Sequence, residues 1–282
     1  GRVEYGMLVG IPGRSGSVLQ VLIVGSVALD DVRTPYGQVV NALGGSAVYS
    51  GLASVLHAPT GLVGVVGEDF PEAHRRLLAG RGLALDGLEV APGRTFHWSG
   101  TYEGDMASAH TLATQLNVFG DFAPKIPPAW RRTPFLFLGN IDPRLQAAVL
   151  DGMDRPEFVM LDTMNYWIEQ RREELLAVVA RVDLVVLNDA EARQLSGRFH
   201  PLDAAAWLHG LGPRGVVIKK GEHGALVSWQ DRLWALPAYP LRSLKDPTGA
   251  GDTFAGGFLG MLAKLGGPSP AHLPLAAAVA TV

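Results

Sequence analysis

Four short apolar runs decide the fold: Phe135-Leu-Phe-Leu138, Phe158-Val-Met-Leu161, Leu184-Val-Val-Leu187 and Val216-Val-Ile218. Between them lie stretches with helical character, at residues 144–150, 167–179, 190–195 and 202–208. Near-continuous apolar strands that alternate with helices are typical of a parallel sheet covered on both faces. The sequence therefore predicts an α/β fold in which these runs are buried strands.

The flanking regions extend this pattern. Residues 21–24 and 62–66 are predicted strands, residues 225–236 an antiparallel hairpin, and residues 47–56 a helix with Ser46 as N-cap. The segment around Thr95-Phe-His-Trp-Ser-Gly-Thr-Tyr102 mixes aromatic, β-branched and polar residues, as in a half-exposed antiparallel strand. Its aromatic side chains are either a lid over a ligand or ordinary sheet packing.

The composition excludes several classes of protein. The 282 residues carry a formal net charge of −3 and no cysteine. The absence of cysteine excludes disulfide frameworks, thiolate zinc sites and cysteine nucleophiles. The charge argues against a strongly basic nucleic-acid binder, and no stretch reaches the ~18 apolar residues of a membrane helix. We expect a cytoplasmic protein with no nucleic-acid or membrane partner.

A glycine-rich string carries the strongest chemical signal: Asp246-Pro-Thr-Gly-Ala-Gly-Asp252-Thr-Phe-Ala-Gly-Gly257. The small residues Gly249, Ala250 and Gly251 allow a tight turn that points backbone N–H groups into one space. The following helix adds the positive end of its dipole, so the string predicts an anion hole for a phosphate. Asp252 at its mouth could accept a proton from a hydroxyl that attacks phosphorus. The alternative is that Asp252 is only an N-cap beside a glycine turn.

Several other catalytic motifs are absent. The sequence contains no G-x-x-x-x-G-K-[ST], no H-E-x-x-H and no G-x-S-x-G. After the first strand the chain reads Gly25-Ser-Val-Ala-Leu-Asp30, without the G-x-G-x-x-G of dinucleotide-binding folds. These absences argue against P-loop enzymes, zinc proteases of that type, α/β-hydrolases and nicotinamide oxidoreductases.

The glycine-rich string resembles the C-terminal signature D-x-x-G-A-G-D-x-F-x-x-G of the ribokinase-like (PfkB) carbohydrate kinase family. Gly44-Gly45-Ser46-Ala47 resembles the glycine pair at that family's sugar site, and Asn188-Asp-Ala-Glu191 resembles its N-x-x-E motif. Lys219-Lys-Gly221-Glu-His-Gly224 resembles its nucleotide loop. The resemblance runs from Val21 to the chain end and is nearest to unassigned bacterial sugar kinases. It implies a three-layer α/β/α sandwich with a mostly parallel sheet and a small β-rich lid.

The resemblance also implies an ATP-dependent kinase that phosphorylates a hydroxyl of a small sugar or sugar-like molecule. Asp252 would be the catalytic base, and Gly249, Ala250 and Gly251 would form the anion hole. Asn188 and Glu191 would organise Mg²⁺ through water. The nucleotide-binding residues would be Asn188, Lys219, Gly221 and Gly224. Without the other motifs, Asn188 would be predicted to be a helix cap and Glu191 a solvated acidic residue in the first turn of that helix.

The acceptor site is expected around Asp30, which we assign to the end of the first strand. A carboxylate there can accept hydrogen bonds from two hydroxyls, and Asp31 is the alternative. Further substrate candidates are Asn41, Gly45, Ser46 and Asn140. Asp246, with Thr248, is a candidate ligand of a monovalent cation such as K⁺. Many members of the family have Asn two positions before this Asp, whereas this chain has Ala28, so its specificity is expected to differ.

Two other functions stay open. A nucleoside kinase on the same fold would use Phe96, Trp98 and Tyr102 to stack on a base. A non-catalytic sugar- or nucleotide-binding regulator would have no need of Asp252 as a base.

The domain organisation follows from the same resemblance. Residues 1–20 are predicted to be an extension and residues 21–282 the kinase domain. Lid segments are expected near residues 33–43 and 90–118, and a homodimer through the lid is an open prediction. The chain stops where members of the family usually continue, so a truncated C-terminus is expected.

Overall fold

The computed structural model describes residues 18–104, 106 and 109–281, so the predicted extension lies largely outside the described residues. The strands are β1 (Val21–Val24), β2 (Ala28–Thr34), β3 (Gly37–Gly44), β4 (Thr60–Gly67), β5 (Ala84–Ala91), β6 (Phe96–Tyr102), β7 (Ala109–Gln115), β8 (Phe135–Leu138), β9 (Phe158–Asp162), β10 (Leu184–Asn188), β11 (Gly215–Lys219), β12 (Ala225–Trp229) and β13 (Arg232–Leu236). The helices are α1 (Ser46–Ser54), α2 (Glu72–Gly80), α3 (Pro143–Gly152), α4 (Asn165–Gln170), α5 (Arg172–Val179), α6 (Asp189–Ser196), α7 (Pro201–His209), α8 (Ala250–Lys264) and α9 (His272–Ala280).

Nine strands form the main sheet, in the order β13-β12-β11-β10-β9-β8-β1-β4-β5. The strands from β11 to β5 pair in parallel, and β12 and β13 add an antiparallel hairpin at one edge. This topology confirms the α/β fold with a mostly parallel sheet. Because the strands are parallel, the carboxyl ends of β8 to β11 open on the same edge of the sheet, where such folds bind ligands.

Helices cover both faces because each buried strand alternates its apolar side chains between them. Val21, Ile23 and Phe137 pack on one face with apolar residues of α1, α8 and α9. Leu22 and Leu138 pack on the other face with residues of α3, α5, α6 and α7. The predicted three-layer α/β/α sandwich is therefore confirmed.

A second, four-stranded sheet has the order β3-β2-β6-β7. β2 pairs antiparallel with β3 and parallel with β6, and β6 pairs antiparallel with β7. These strands overlap the segments 33–43 and 90–118. The small β-rich layer of the predicted fold is present, whereas its action as a lid stays a prediction.

Three local predictions differ from the structure. The helix predicted over residues 167–179 is two helices, because Arg171 leaves the helical conformation (φ −142°, ψ 39°) between α4 and α5. The N-cap of α1 is Gly45, with φ +99°, and Ser46 is already in the helix. Asp30 does not end the first strand: the main-sheet strand stops at Val24, and Asp30 lies in β2 of the small sheet.

None of the helices in the described part of the chain is long and apolar enough to span a bilayer.

Candidate active site

The predicted anion hole lies at the N-terminus of α8. Gly249 is the N-cap, with φ +73°, a left-handed conformation that favours glycine. A Cβ on Gly249 would collide with the ring of Tyr49, so the turn also needs glycine for space. Ala250 and Gly251 follow in the first turn of the helix. The Ala250 N–H donates to Pro247 O at 3.0 Å, whereas the Gly251 N–H has no acceptor within the helix. This geometry suits a phosphate group.

Asp252 belongs to the same first turn and lies in an acidic environment. The pKa of Asp252 is raised to about 7: burial has the largest effect, the carboxylates of Asp162 and Asp30 add to it, and Lys219 opposes them. Within the described residues, the Asp252 side chain takes part in no hydrogen bond. A carboxyl group with such a pKa is a better proton acceptor at neutral pH than an ordinary aspartate.

Asp30 points into the same space from the small sheet. Its side chain is buried (4% exposed), and a Cβ on Gly44 would overlap its carboxylate. Burial raises the pKa of Asp30 to about 7, and the charges of Asp246 and Asp31 add to this effect. Asp31 is engaged elsewhere: its Oδ1 accepts the Asn41 N–H at 2.8 Å and lies 3.4 Å from His97 Nε2.

A buried ion pair adjoins the anion hole. Lys219, the last residue of β11, donates from Nζ to Asp162 Oδ2 at 3.0 Å, and the two side chains are 16% and 4% exposed. Burial lowers the pKa of Lys219, but Asp162, Glu191 and Asp252 outweigh burial and raise it. The lysine is therefore a permanent cation.

Asn188 and Glu191 form a capping box at the start of α6. Asn188 Oδ1 accepts the Glu191 N–H at 2.8 Å, and Glu191 Oε2 accepts the Asn188 N–H at 2.7 Å. The cap is the simpler of the two sequence interpretations. Glu191 is nevertheless half-buried rather than solvated, and burial raises its pKa to about 7. Three carboxyl groups in this site, those of Asp30, Glu191 and Asp252, thus have a pKa raised to about 7.

The residues suit a hydrated divalent cation better than a protein-made cage. Within the described residues, no three His, Cys, Asp or Glu side chains are arranged to hold a metal directly. Mg²⁺ keeps several of its waters and is bound through few carboxylates together with nucleotide phosphates. A cation near Glu191 and Asp252 would favour the charged form of both carboxyl groups, whose pKa burial raises.

The other predicted acceptor residues have different surroundings. Ser46 exchanges hydrogen bonds with Ser26: Ser46 Oγ accepts the Ser26 N–H at 3.1 Å, and Ser26 Oγ accepts the Ser46 N–H at 3.0 Å. A Cβ on Gly45 would collide with Ser26 O, so both residues hold α1 against the loop before β2. Asn41 is exposed and lines a cavity of about 160 Å³ with Leu29, Asp69, Arg94, Thr95, His97, Gln115 and Asn117. Asn41 is thus not brought to Asp252.

Four further predicted residues complete the comparison with the sequence. Asn140, after β8, has a buried Oδ1 without a partner in the described residues. Gly221 and Gly224 have φ of +54° and +85°, and a Cβ on Gly224 would collide with Leu236 O. These two glycines shape the turn after β11. Asp246 is exposed, and its Oδ1 accepts the Thr248 N–H at 2.9 Å.

The sequence reasoning missed Tyr49 and Asp162 as site residues. Tyr49 packs against Gly249, and burial together with Asp30, Asp246 and Asp252 raises the pKa of its hydroxyl. Asp162 could have been found, because it is a carboxylate directly after the buried run Phe158-Val-Met-Leu161. Tyr102, predicted as a lid or stacking residue, accepts a hydrogen bond from Thr248 Oγ1 at 3.3 Å, which links β6 to the glycine-rich loop.

Comparisons with known proteins agree with this geometry. A model described as pfkB family carbohydrate kinase matches residues 156–282. A curated relative, the cytidine kinase of Thermococcus kodakarensis, is 32% identical over 248 residues, 86% of this chain and 88% of the relative.

Two solved structures resemble the whole fold. The nucleoside kinase of Burkholderia thailandensis in complex with inosine has a TM-score of 0.75 at 20% identity, over 93% of this chain and 90% of that one. An Escherichia coli protein designated ribokinase II, in complex with ATP and Mg²⁺, has a TM-score of 0.74 at 20% identity, over 93% and 92%.

Proposed function

Since the chain belongs to the PfkB family of carbohydrate kinases and is therefore an ATP-dependent phosphotransferase, we propose that its acceptor is a ribonucleoside, phosphorylated on the primary hydroxyl. The similarity to a cytidine kinase supports a nucleoside. The proposed catalytic base is Asp252, and the proposed anion hole is formed by Gly249, Ala250 and Gly251.

One observation carries the choice of acceptor: Asp30 of β2 is paired with Trp98 of β6 in adjacent parallel strands. Paired residues of neighbouring strands project to the same face, so Asp30 and Trp98 both lie on one face of the small sheet. The Trp98 ring lies over Gly100, where a Cβ would overlap it, and Nε1 donates to Thr111 Oγ1 at 3.2 Å. A ribonucleoside carries both a vicinal diol for a carboxylate and an aromatic base for an indole.

This orientation decides which hydroxyl reacts. If Asp30 accepts hydrogen bonds from the 2′- and 3′-hydroxyls, the 5′-hydroxyl is the one left to face Asp252. Its oxygen forms a bond to the γ-phosphorus while the bond from that phosphorus to the β–γ bridging oxygen breaks. The hydroxyl proton passes to Asp252, and ADP leaves with the bridging oxygen.

Magnesium and a monovalent cation are part of the proposal. Glu191 and Asn188 would hold Mg²⁺ through water; the ion neutralises phosphate charge when it is bound. Lys219, Gly221 and Gly224 would line the nucleotide. Asp246, which is exposed and free of ion pairs within the described residues, is the proposed ligand of K⁺.

A free pentose or hexose is the second candidate acceptor. The Asp30 carboxylate suits any vicinal diol, so this half of the site does not distinguish a sugar from a nucleoside. Trp98 distinguishes them, because a free sugar has no base to stack on it. No observation favours a non-catalytic regulator.

The deciding experiment measures ADP formation with ATP and Mg²⁺ against cytidine, inosine, 2′-deoxycytidine, ribose and glucose. We expect the highest kcat/KM with a ribonucleoside and a higher KM for 2′-deoxycytidine. Asp252→Asn should lower kcat by about 10³-fold or more, within the 10²–10⁴ range of general-base catalysis and the loss of site electrostatics. Asp203→Asn is the matched control, since Asp203 is an exposed first-turn residue of α7 and should retain full activity.

A second variant tests the acceptor. Trp98→Ala should raise KM for the nucleoside about 10-fold and leave KM for ribose unchanged, because a stacked aromatic pair contributes about 0.5–1.5 kcal/mol. A higher kcat/KM for ribose or glucose than for every nucleoside would contradict the proposal and favour the sugar kinase.

We also propose that the small sheet closes over the acceptor as a lid and serves as the surface of a homodimer. Its edge strands β3 and β7 carry exposed apolar side chains, including Val40 (60%) and Leu112 (64%). Exposed apolar edge strands are typical of protein–protein contacts.

A further inference from the structure

Lys219 is a buried cation whose hydrogen-bonding capacity is only partly used. An ammonium group has three N–H donors. Within the described residues, Nζ donates one hydrogen bond, to Asp162 Oδ2 at 3.0 Å. The side chain is only 16% exposed, so solvent has limited access to the remaining donors. Buried donors without acceptors are costly, and such a group points to a ligand.

The position of the ammonium identifies the kind of ligand. A Cβ on Gly251 would lie 3.1 Å from Nζ, so the ammonium lies directly against the turn of the anion hole. The N-terminal end of α8 and the ammonium therefore present positive charge to the same space. An anion between them would contact both.

Asp162 holds the ammonium in this position. The carboxylate is the last residue of β9, two strands from β11, and is 4% exposed. Both of its oxygens are occupied, because Oδ1 accepts the Thr163 N–H at 2.8 Å and Oδ2 accepts from Lys219. Its backbone carbonyl accepts from Gln146 Nε2 at 3.0 Å. The carboxylate thus has one fixed orientation, and so does the lysine.

We propose that Lys219 is a catalytic residue whose ammonium binds the phosphoryl group during its transfer, and that Asp162 is the positioning residue that aims it. This inference rests on the proposed function, because it requires phosphoryl transfer at Gly249–Asp252. The bond from the acceptor oxygen to phosphorus forms as the bond to the bridging oxygen breaks. The three peripheral oxygens keep their negative charge throughout, and a preorganised cation stabilises it.

The competing explanation is a purely structural ion pair, in which Lys219 does no more than neutralise Asp162. The two explanations differ in their kinetics. A structural pair affects folding or the population of active protein and has no reason to change transition-state binding. A phosphoryl contact lowers kcat without a change in acceptor KM.

The first test compares Lys219→Met, Lys219→Arg and Asp162→Asn in steady-state kinetics. We expect Lys219→Met to lower kcat by 10²–10³-fold with an unchanged KM for the acceptor, the loss seen when one transition-state donor is removed. Lys219→Arg should recover part of this loss, and Asp162→Asn should lower kcat less than Lys219→Met does. Lys264→Met, at the exposed last turn of α8, is the control and should retain activity. Wild-type kcat in Lys219→Met would overturn the inference.

The pH profile tests whether the ammonium acts on the proposed base. Asp252 is faced by Asp162, Asp30 and Lys219, and only the lysine lowers its pKa. Loss of the cation should therefore move the acid limb of kcat/KM to higher pH in Lys219→Met. An unmoved acid limb would contradict the proximity of the ammonium to the reacting groups.

A binding experiment separates this inference from the proposed acceptor. ADP with Mg²⁺ and aluminium fluoride mimics the transferred phosphoryl group, and its affinity can be measured by calorimetry without any acceptor. We expect the wild type to bind ADP with fluoroaluminate more tightly than ADP alone, and Lys219→Met to lose this gain, whatever its affinity for ADP alone. An equal gain in the variant would overturn the inference. If no nucleoside or sugar is turned over, the acceptor proposal fails, but this measurement still decides the role of Lys219.

Discussion

The carboxyl groups of Asp30, Glu191 and Asp252 each have a pKa raised to about 7 by burial. At pH 6 the folded protein therefore binds protons at these sites that the unfolded chain, with ordinary carboxyl pKa values near 4, has released. Stability falls with rising pH wherever the folded state binds more protons. The contribution is fully present below about pH 4 and is lost as the pH rises through 7. Catalysis needs the opposite state, because a general base must be deprotonated.

We predict that Asp30→Asn stabilises the ligand-free protein at pH 8 and not at pH 4. The free energy of unfolding of the variant minus that of the wild type should grow from about zero at pH 4 to a plateau above pH 7. Each unit by which the pKa is raised corresponds to about 1.4 kcal/mol, so we expect a plateau of about 2–4 kcal/mol. Urea unfolding at several pH values measures this difference.

Asp31→Asn is the control for this prediction, because its carboxylate accepts the Asn41 N–H and adjoins His97. It should not stabilise the protein at pH 8. A plateau difference near zero for Asp30→Asn would mean that Asp30 is better solvated than its 4% exposure indicates.

For single residues, the sequence predicts a shared role where the residues are close together in the chain. It misses the residues that only folding brings together. Gly249 to Asp252 form one short string, so their shared role could be predicted. Asp162 and Lys219 are 57 positions apart, and their pairing depends on β9 and β11 both ending at the same edge of the sheet. Asn41 lies in β3, which pairs with the strand of Asp30, and lines a separate cavity, so its role in substrate binding stays a prediction.

Helices α1 and α8 approach each other closely enough to exclude side chains from their interface. A Cβ on Gly256 would collide with the Ser50 carbonyl, and one on Gly260 would lie 2.7 Å from Ser54 O. These obstacles are backbone atoms, which cannot rotate away. Because Asp252 lies in the first turn of α8, the packing of α8 on α1 also fixes the position of the anion hole relative to Tyr49 of α1.

Gly256→Ala should therefore destabilise the protein and lower its activity, whereas Gly257→Ala should do neither. Overpacking typically costs about 1–3 kcal/mol, and a collision with backbone belongs at the upper end. At Gly257 the nearest atom to an added Cβ is 3.6 Å away, and alanine favours a helix by about 0.8–1.0 kcal/mol over glycine. Urea midpoints of the two variants measure this. Equal midpoints would show that α8 can shift without cost.

The elements differ in how well periodicity identifies them. β8, from Phe135 to Leu138, agrees with its prediction residue for residue, because all four side chains are buried. β3 and β7 have no comparable signal, since most or all of their residues are exposed. The split between α4 and α5 is also invisible to periodicity: the break at Arg171 is a backbone conformation that no glycine or proline announces.

The molecule as a whole combines a well-buried sandwich with a small sheet that packs on one side only. Val32, Tyr102 and Met106 form a small apolar cluster with Trp98 on one face of that sheet. The edge strands remain largely exposed, and Val39 (50%) and Leu116 (50%) add to the apolar surface of Val40 and Leu112. Large exposed apolar patches are rare on monomeric proteins and are typical of protein–protein contacts.

We predict that the protein is a dimer in solution, with twice the mass of one chain in light scattering, and that Val40→Glu with Leu112→Glu makes it a monomer. Three exposed apolar side chains on the two edge strands, together with Leu116 directly after β7, would be buried by a second copy, and a buried unpaired carboxylate opposes that contact strongly. Leu56→Glu, an exposed apolar position after α1, is the control and should leave the mass unchanged.

The acceptor KM should rise in the monomer, because Asp30 and Trp98 belong to the small sheet and that sheet loses the support of the second copy. A wild type that stays monomeric at all concentrations would remove the homodimer from the proposal and leave the kinase site untouched, since every residue of that site belongs to one chain.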